Sequence, residues 1–108
     1  MKLAIVGDEG VYVRNLAAYV PPTADEIVST GENLLTDTLD FSRKYGFKIT
    51  VFFEDSYQYT TGAWILRNME IAEYADELVA FWDGNSRKMQ HMIECFERNG
   101  KLVRIVNI

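Results

Sequence analysis

Apolar positions along this chain fall into five short runs rich in β-branched and aromatic residues, and the segments between them carry apolar residues at three- and four-residue spacing. The runs predict strands at Lys2–Val6, Glu26–Ser29, Lys48–Phe53, Glu77–Trp82 and Leu102–Val106. The first ends at Gly7, and the second follows the Pro21-Pro22 break. The last three are nearly continuous rather than alternating, which predicts burial on both faces, as in a parallel sheet.

Three helices are predicted between them. Leu34–Tyr45 carries Leu34, Leu35, Leu39 and Phe41 on mixed spacing and meets Gly46, a helix-ending residue. Ala63–Ala75 sets Ala63, Leu66, Ile71, Tyr74 and Ala75 on overlapping turns, and Ser86–Arg98 sets Met89, Met92, Ile93 and Phe96 on one stripe ahead of Asn99-Gly100. A short helix through Asn15–Tyr19 is cut off by Pro21 and Pro22. No repeat, low-complexity tract or linker divides the chain, so residues 1–108 read as one domain.

Strands alternating with helices in so short a chain predict a Rossmann-like three-layer α/β/α sandwich with right-handed crossovers. Its five-stranded parallel sheet is expected in the order 3-2-1-4-5. The crossovers then reverse between strands 1 and 4, and the crevice at that switch point is where such sheets hold ligands. The loops beginning at Gly7 and Asp83 are expected to line it.

Composition narrows the partners. The 108 residues are 48% hydrophobic, 25% charged and 13% aromatic, which suits one well-filled core. A net charge of −5 repels phosphate backbones and anionic lipid, so nucleic acid is not an expected partner. Cys95 is the only cysteine and His91 the only histidine; no internal disulfide and no usual zinc site can be built, and a reducing cytoplasm is the expected location. The opening MKLAIVGDEG is broken by Asp8 and Glu9 before it reads as a targeting segment, and no apolar run approaches the ~18 residues of a membrane span. No membrane partner is expected.

The segment RNMEIAEYADELVAFWDGNSRKMQHMI, Arg67 to Ile93, resembles the YspA-like branch of the SLOG superfamily, which also holds the DprA DNA-processing proteins and the Lonely Guy phosphoribohydrolases. The residues that carry the resemblance are Arg67-Asn68, Glu70-Ile71, Ala75-Asp76 and Ala80-Phe81-Trp82-Asp83-Gly84 followed by Ser86. Upstream, KLAIVG (Lys2 to Gly7) and IVSTG (Ile27 to Gly31) are similar to the family's first strand and its Val-Ser-Gly-Gly loop. The resemblance implies a binding or sensing module for a nucleotide-like small molecule at the C-terminal ends of strands 1 and 4. It implies ligand-binding roles for Gly7, Asp8, Ser29, Thr30, Gly31, Arg67, Asn68, Asp83, Gly84 and Ser86; no catalytic residue, metal or resident cofactor is expected. A homo-oligomer is compatible with the aromatic content, because aromatics serve interfaces as well as cores.

The chain also departs from that pattern. Asp8-Glu9 replaces a Ser-Arg pair after the first glycine, which predicts weaker phosphate binding. Ser29-Thr30-Gly31 replaces Ser-Gly-Gly, and the small residues that follow have become Glu32-Asn33-Leu34-Leu35, with the motif's Asp falling near Asp37. Lys88-Met89 replaces Gly-Thr, and the catalytic glutamate of the hydrolase relatives corresponds to Met92. Glu94 lies two residues on, about 200° round a helix, and cannot substitute. Phosphoribohydrolase activity is therefore the least expected reading, behind a ligand-free remnant acting as an interaction or regulatory module.

Each candidate has a plainer alternative. Gly84 and Ser86 open a helix whose free amides attract an anion, or Asn85 or Ser86 simply caps it. Asp83 reaches a ribose hydroxyl, or forms the turn beside Gly84. Arg67 grips a phosphate or carboxylate, or pairs with Glu70 or Asp83. Lys88 supplies the cation lost with Ser-Arg, or is solvated. Tyr57, Tyr59, Trp64 and Trp82 stack on a base, or fill core and interface, and Trp64 stands where the family has a small glycine. His91 and Cys95 lie one turn apart without the third group a catalytic dyad needs.

Overall fold

The computed structural model describes residues 1–54 and 62–108. The strands are β1 (Lys2–Gly7), β2 (Glu26–Thr30), β3 (Lys48–Phe52), β4 (Glu77–Trp82) and β5 (Leu102–Asn107). They pair in parallel in the order β3-β2-β1-β4-β5, with Leu3 opposite Ile27 on one side and Glu77 on the other. The helices are α1 (Leu35–Tyr45), α2 (Ala63–Tyr74) and α3 (Arg87–Arg98). This is the Rossmann-like α/β fold that the run pattern predicts.

Side chains leave a strand alternately to its two faces, and that two-residue period builds two cores. Ala4, Val6, Val28, Leu78 and Ala80 meet Ile71 of α2 and Met92, Ile93 and Phe96 of α3. Leu3, Ile5, Ile27, Val79 and Phe81 form the other core, closed by Phe41 of α1 and by a short 3-10 turn at Leu16–Tyr19. That turn replaces the short helix expected over Asn15–Tyr19, because Pro21 and Pro22 leave no room for a second turn. Phe96 is fully buried, and removing such a ring costs about 3–5 kcal/mol.

The helix ends follow local chemistry. Gly46 adopts the left-handed conformation that closes α1, its N–H donating to the Ser42 carbonyl. Ser86 caps α3 by accepting from the Met89 N–H at 3.3 Å.

Continuous apolar runs do not guarantee burial. β4 is covered along both faces, whereas β3 is half-buried and most of β5 is exposed. Both are edge strands, flanked by a neighbouring strand on one side only, and Leu102 and Ile105 stay in contact with water. The expectation of full burial fails there because place in the sheet, not composition, sets coverage. Among the described residues no helix is long and apolar enough to cross a membrane.

Candidate functional site

The crossovers reverse beside β1, and a cleft of about 400 Å³ opens at that end of the sheet. Four chain segments line it: Val6 to Glu9 after β1; Thr30, Glu32 and Asn33 after β2; Arg67 and Asn68 of α2; and Ser86, Lys88, Met89 and Met92 at the start of α3. Of the residues nominated from sequence, Gly7, Asp8, Thr30, Arg67, Asn68 and Ser86 converge here. Ser29, Gly31, Asp83 and Gly84 do not.

Strand parity separates Ser29 from Thr30. The cleft lies on the face covered by α2 and α3, toward which Thr30 and Val6 point. Ser29 points the other way, fully buried against α1, where its hydroxyl lies 3.2 Å from Thr38 Oγ1. Thr38 in turn donates to the Leu34 and Leu35 carbonyls, so this pair fastens α1 to β2.

The two glycines are explained by their neighbours. A Cβ on Gly7 would stand 2.6 Å from Leu34 Cδ1, and one on Gly31 would stand 1.9 Å from Phe53 Cδ1. Leu34 reaches Gly7 from a left-handed backbone (φ 64°), an uncommon state for leucine that its burial offsets. Apolar side chains thus cover two loop glycines expected from sequence to bind ligand.

Asp83 is a turn former. Its Oδ1 accepts from the Asn85 and Ser86 N–H groups at 2.7 and 3.1 Å, and these backbone bonds hold its carboxyl below the usual range. Gly84 adopts φ 90° in that turn with open space around it. Asp8 is buried and ties the two strand ends together, its N–H donating to the Phe81 carbonyl and its Oδ2 accepting from the Asp83 N–H at 2.8 Å. Ser86 caps its helix and also lines the cleft.

Arg67 lines the cleft although it is only 5% exposed. Its Nη1 lies 2.9 Å from Glu32 Oε1 and 3.4 Å from Glu54 Oε1, partners different from the Glu70 or Asp83 considered from sequence. Its Nε is buried and finds no hydrogen-bond partner among the described residues. Lys88, half-exposed, lies 3.3 Å from the same Glu54 oxygen rather than free in solvent. Asn68 is fully buried and donates to the Lys88 carbonyl at 2.9 Å. Glu32 and Glu54 were not nominated as site residues: their pairing spans 35 and 13 positions of chain (67 − 32 and 67 − 54), beyond any local motif.

Other candidates fall outside. Trp64 packs edge-on against His91, and Trp82 donates through Nε1 to the Ser86 carbonyl. Tyr57 and Tyr59 lie outside the described residues. His91 and Cys95 line a second groove of about 580 Å³ along α2 and α3. Burial pushes the Cys95 thiol up and the His91 imidazole down, which disfavours thiolate and imidazolium alike. In that groove Lys101 Nζ closes the end of α2 by donating to the Ala72, Glu73 and Ala75 carbonyls. Among the described residues no group of three His, Cys, Asp or Glu side chains is placed to hold a metal.

No protein-family model matches the chain, and no curated protein or solved structure matches it at a significant level.

Proposed function

We propose that the cleft at the ends of β1, β2 and β4 holds a nucleotide-derived small ligand and that the chain is a binding or sensing module, as its resemblance to the SLOG superfamily implies. The observation that carries this is Arg67, a guanidinium 5% exposed on the cleft wall whose Nε has no partner among the described residues. Leaving a buried donor unpaired costs on the order of 1–3 kcal/mol, and a ligand oxygen toward which the guanidinium turns its Nε removes that cost. The Asn68 amide beside it and the capped start of α3 add polar contacts, and Val6, Met89 and Met92 add apolar ones. Met92 stands where the hydrolase relatives have their glutamate, and Glu94 is exposed away from the cleft, so phosphoribohydrolase chemistry is left out of the proposal.

A second reading rests on the covered glycines. With Leu34 against Gly7 and Phe53 against Gly31, a ligand-free regulatory or interaction module needs no loop movement.

A thermal-shift screen across nucleosides, nucleotides and dinucleotides separates the two, because a ligand stabilises the fold with the logarithm of its concentration. Calorimetric titration of a hit should show Arg67→Lys weakening binding by roughly tenfold to a hundredfold, with Lys88→Ala weakening it less. Equal affinity in all three proteins moves the site elsewhere. A blank screen favours the interaction module.

A further inference from the structure

Among the described residues Arg67, Lys88, Glu32 and Glu54 form one ion-pair network at the wall of the cleft. Two cations and two carboxylates sum to zero, so the buried guanidinium faces the cleft already neutralised by its own chain. The two carboxylates are held unequally. Glu54 is a quarter exposed and shared by both cations, at 3.4 Å from Arg67 and 3.3 Å from Lys88. Glu32 is 41% exposed, sits on the loop after β2 and contacts Arg67 alone among these cations. Its carboxylate recovers hydration when it turns outward and leaves Arg67 still paired with Glu54, whereas withdrawing Glu54 would remove a partner from Arg67 and from Lys88 together. Glu32 is therefore the group that leaves at lower cost.

We propose that Glu32 is a tethered carboxylate occupying the anion position on Arg67, and that the ligand carries one singly charged anionic group which takes its place. This rests on the reading of the cleft as a ligand site and adds the charge class of what enters it. With Glu32 turned out, the ion-paired set Arg67, Lys88 and Glu54 carries +1, which one carboxylate or one phosphodiester neutralises within that set, while Asp8 and Glu9 on the cleft lining disfavour any further negative charge. A doubly charged phosphate monoester brings a surplus charge into a cleft also lined by Asp8 and Glu9. Arg67 Nε, buried and without a partner among the described residues, is a second donor of the same guanidinium that Glu32 leaves unused and that a turn of the guanidinium toward the cleft offers to the incoming group. Glu32 thereby sets specificity: an uncharged ligand cannot displace it, and a dianion is repelled once it has.

The test uses acetate and inorganic phosphate, which need no nucleoside pocket, titrated at about pH 8, where phosphate is mainly the dianion, and at constant ionic strength while the Arg67 Nε–H resonance is followed by NMR. In Glu32→Ala, acetate should shift that resonance at about tenfold lower concentration than in the unaltered protein. Glu32→Gln, which keeps the accepting oxygen and loses the charge, should fall between. Acetate should act at lower concentration than phosphate in the alanine variant. Identical acetate curves in the alanine variant and the unaltered protein overturn the role of Glu32, and tighter phosphate than acetate overturns the single-charge assignment. A nucleotide-derived hit with equal affinity for the unaltered protein and Glu32→Ala also overturns the inference while leaving the ligand reading intact. A tenfold acetate effect beside a blank nucleotide screen does the reverse.

Discussion

Asn68 Nδ2 stands 3.2 Å from His91 Nδ1 and 2.9 Å from the Lys88 carbonyl, so one buried amide joins α2 to the first turns of α3. With one N–H directed to the carbonyl, the other requires an unprotonated Nδ1 on His91. The cleft wall and the α2–α3 groove are therefore coupled through a single side chain that two hydrogen bonds orient.

That geometry makes His91 a source of acid sensitivity. Burial first, and then the nearby Arg98 charge, hold its imidazole below the ordinary value, so the unfolded chain binds the proton more readily than the folded one. The stabilising contribution is complete above the ordinary value of about 6.5 and is lost as pH falls through the lower folded value. Urea denaturation at pH 7.5 and 5.0 should show a stability loss on acidification that is smaller in His91→Gln. An equal loss in both proteins would place the sensitivity elsewhere.

Glu26 is the corresponding carboxylate at the opposite end of the sheet. Burial pushes its pKa up, but hydrogen bonds from Tyr74, from Thr50 at 2.9 Å and from Lys48 outweigh that and leave it lowered. Its contribution is present above the ordinary carboxylate range and lost as pH falls through the folded value. Glu26→Gln should cost about 1.5–3 kcal/mol at pH 7, the worth of hydrogen bonds to a charged group. The gap between the two proteins should narrow below about pH 4, as denaturation curves across that range will show.

Alanine at the two loop glycines should have unequal effects despite the distances. The closer clash is at Gly31, yet Phe53 is 67% exposed and its ring can swing into water. At Gly7 the obstacle is Leu34, buried in the core under α1, and overpacking of that kind costs about 1–3 kcal/mol. Thermal denaturation should rank Gly7→Ala below Gly31→Ala. The reverse order would show Phe53 to be held in place.

Asp8 and Glu9 both line the cleft, but only Asp8 is engaged by the fold. Asp8→Ala should destabilise the protein by about 1.5–3 kcal/mol by removing the carboxylate that accepts from Asp83 N–H. Glu9→Arg, at an exposed position, should leave stability nearly unchanged and strengthen inorganic phosphate binding measured by calorimetry. Unchanged phosphate affinity would show that the residue 9 side chain points away from the bound anion.

Much of the architecture was legible. The run Glu77–Trp82 matches β4 at both ends, and the helix expected from Ser86 becomes α3 with Ser86 as its cap, because caps and periodicity act between residues a turn apart. The limits of such signals appear at β5, where an apolar run looks the same at an edge as at a centre, and at Ser29-Thr30, where a one-residue slip in register exchanges core for cleft. Asp83 shows local chemistry prevailing over a motif: two backbone N–H groups within three residues claim its carboxylate.

By itself the sequence determined the five strands and three helices, the parallel order and hence the switch point, and Arg67 and Asn68 as residues at that point. The strands and helices follow from hydrophobic period and turn chemistry, which are written in neighbouring positions, and the order from the way such α/β sheets wind, whereas Arg67 and Asn68 are pointed to by the family resemblance. Tertiary structure decided which face of each strand opens on the cleft, which glycines are covered, and that Arg67 meets Glu32 and Glu54. The physical reason is range: charges pair through space at about 3 Å whatever their separation along the chain, so the electrostatics of the cleft exist only once β2, β3 and α2 have come together.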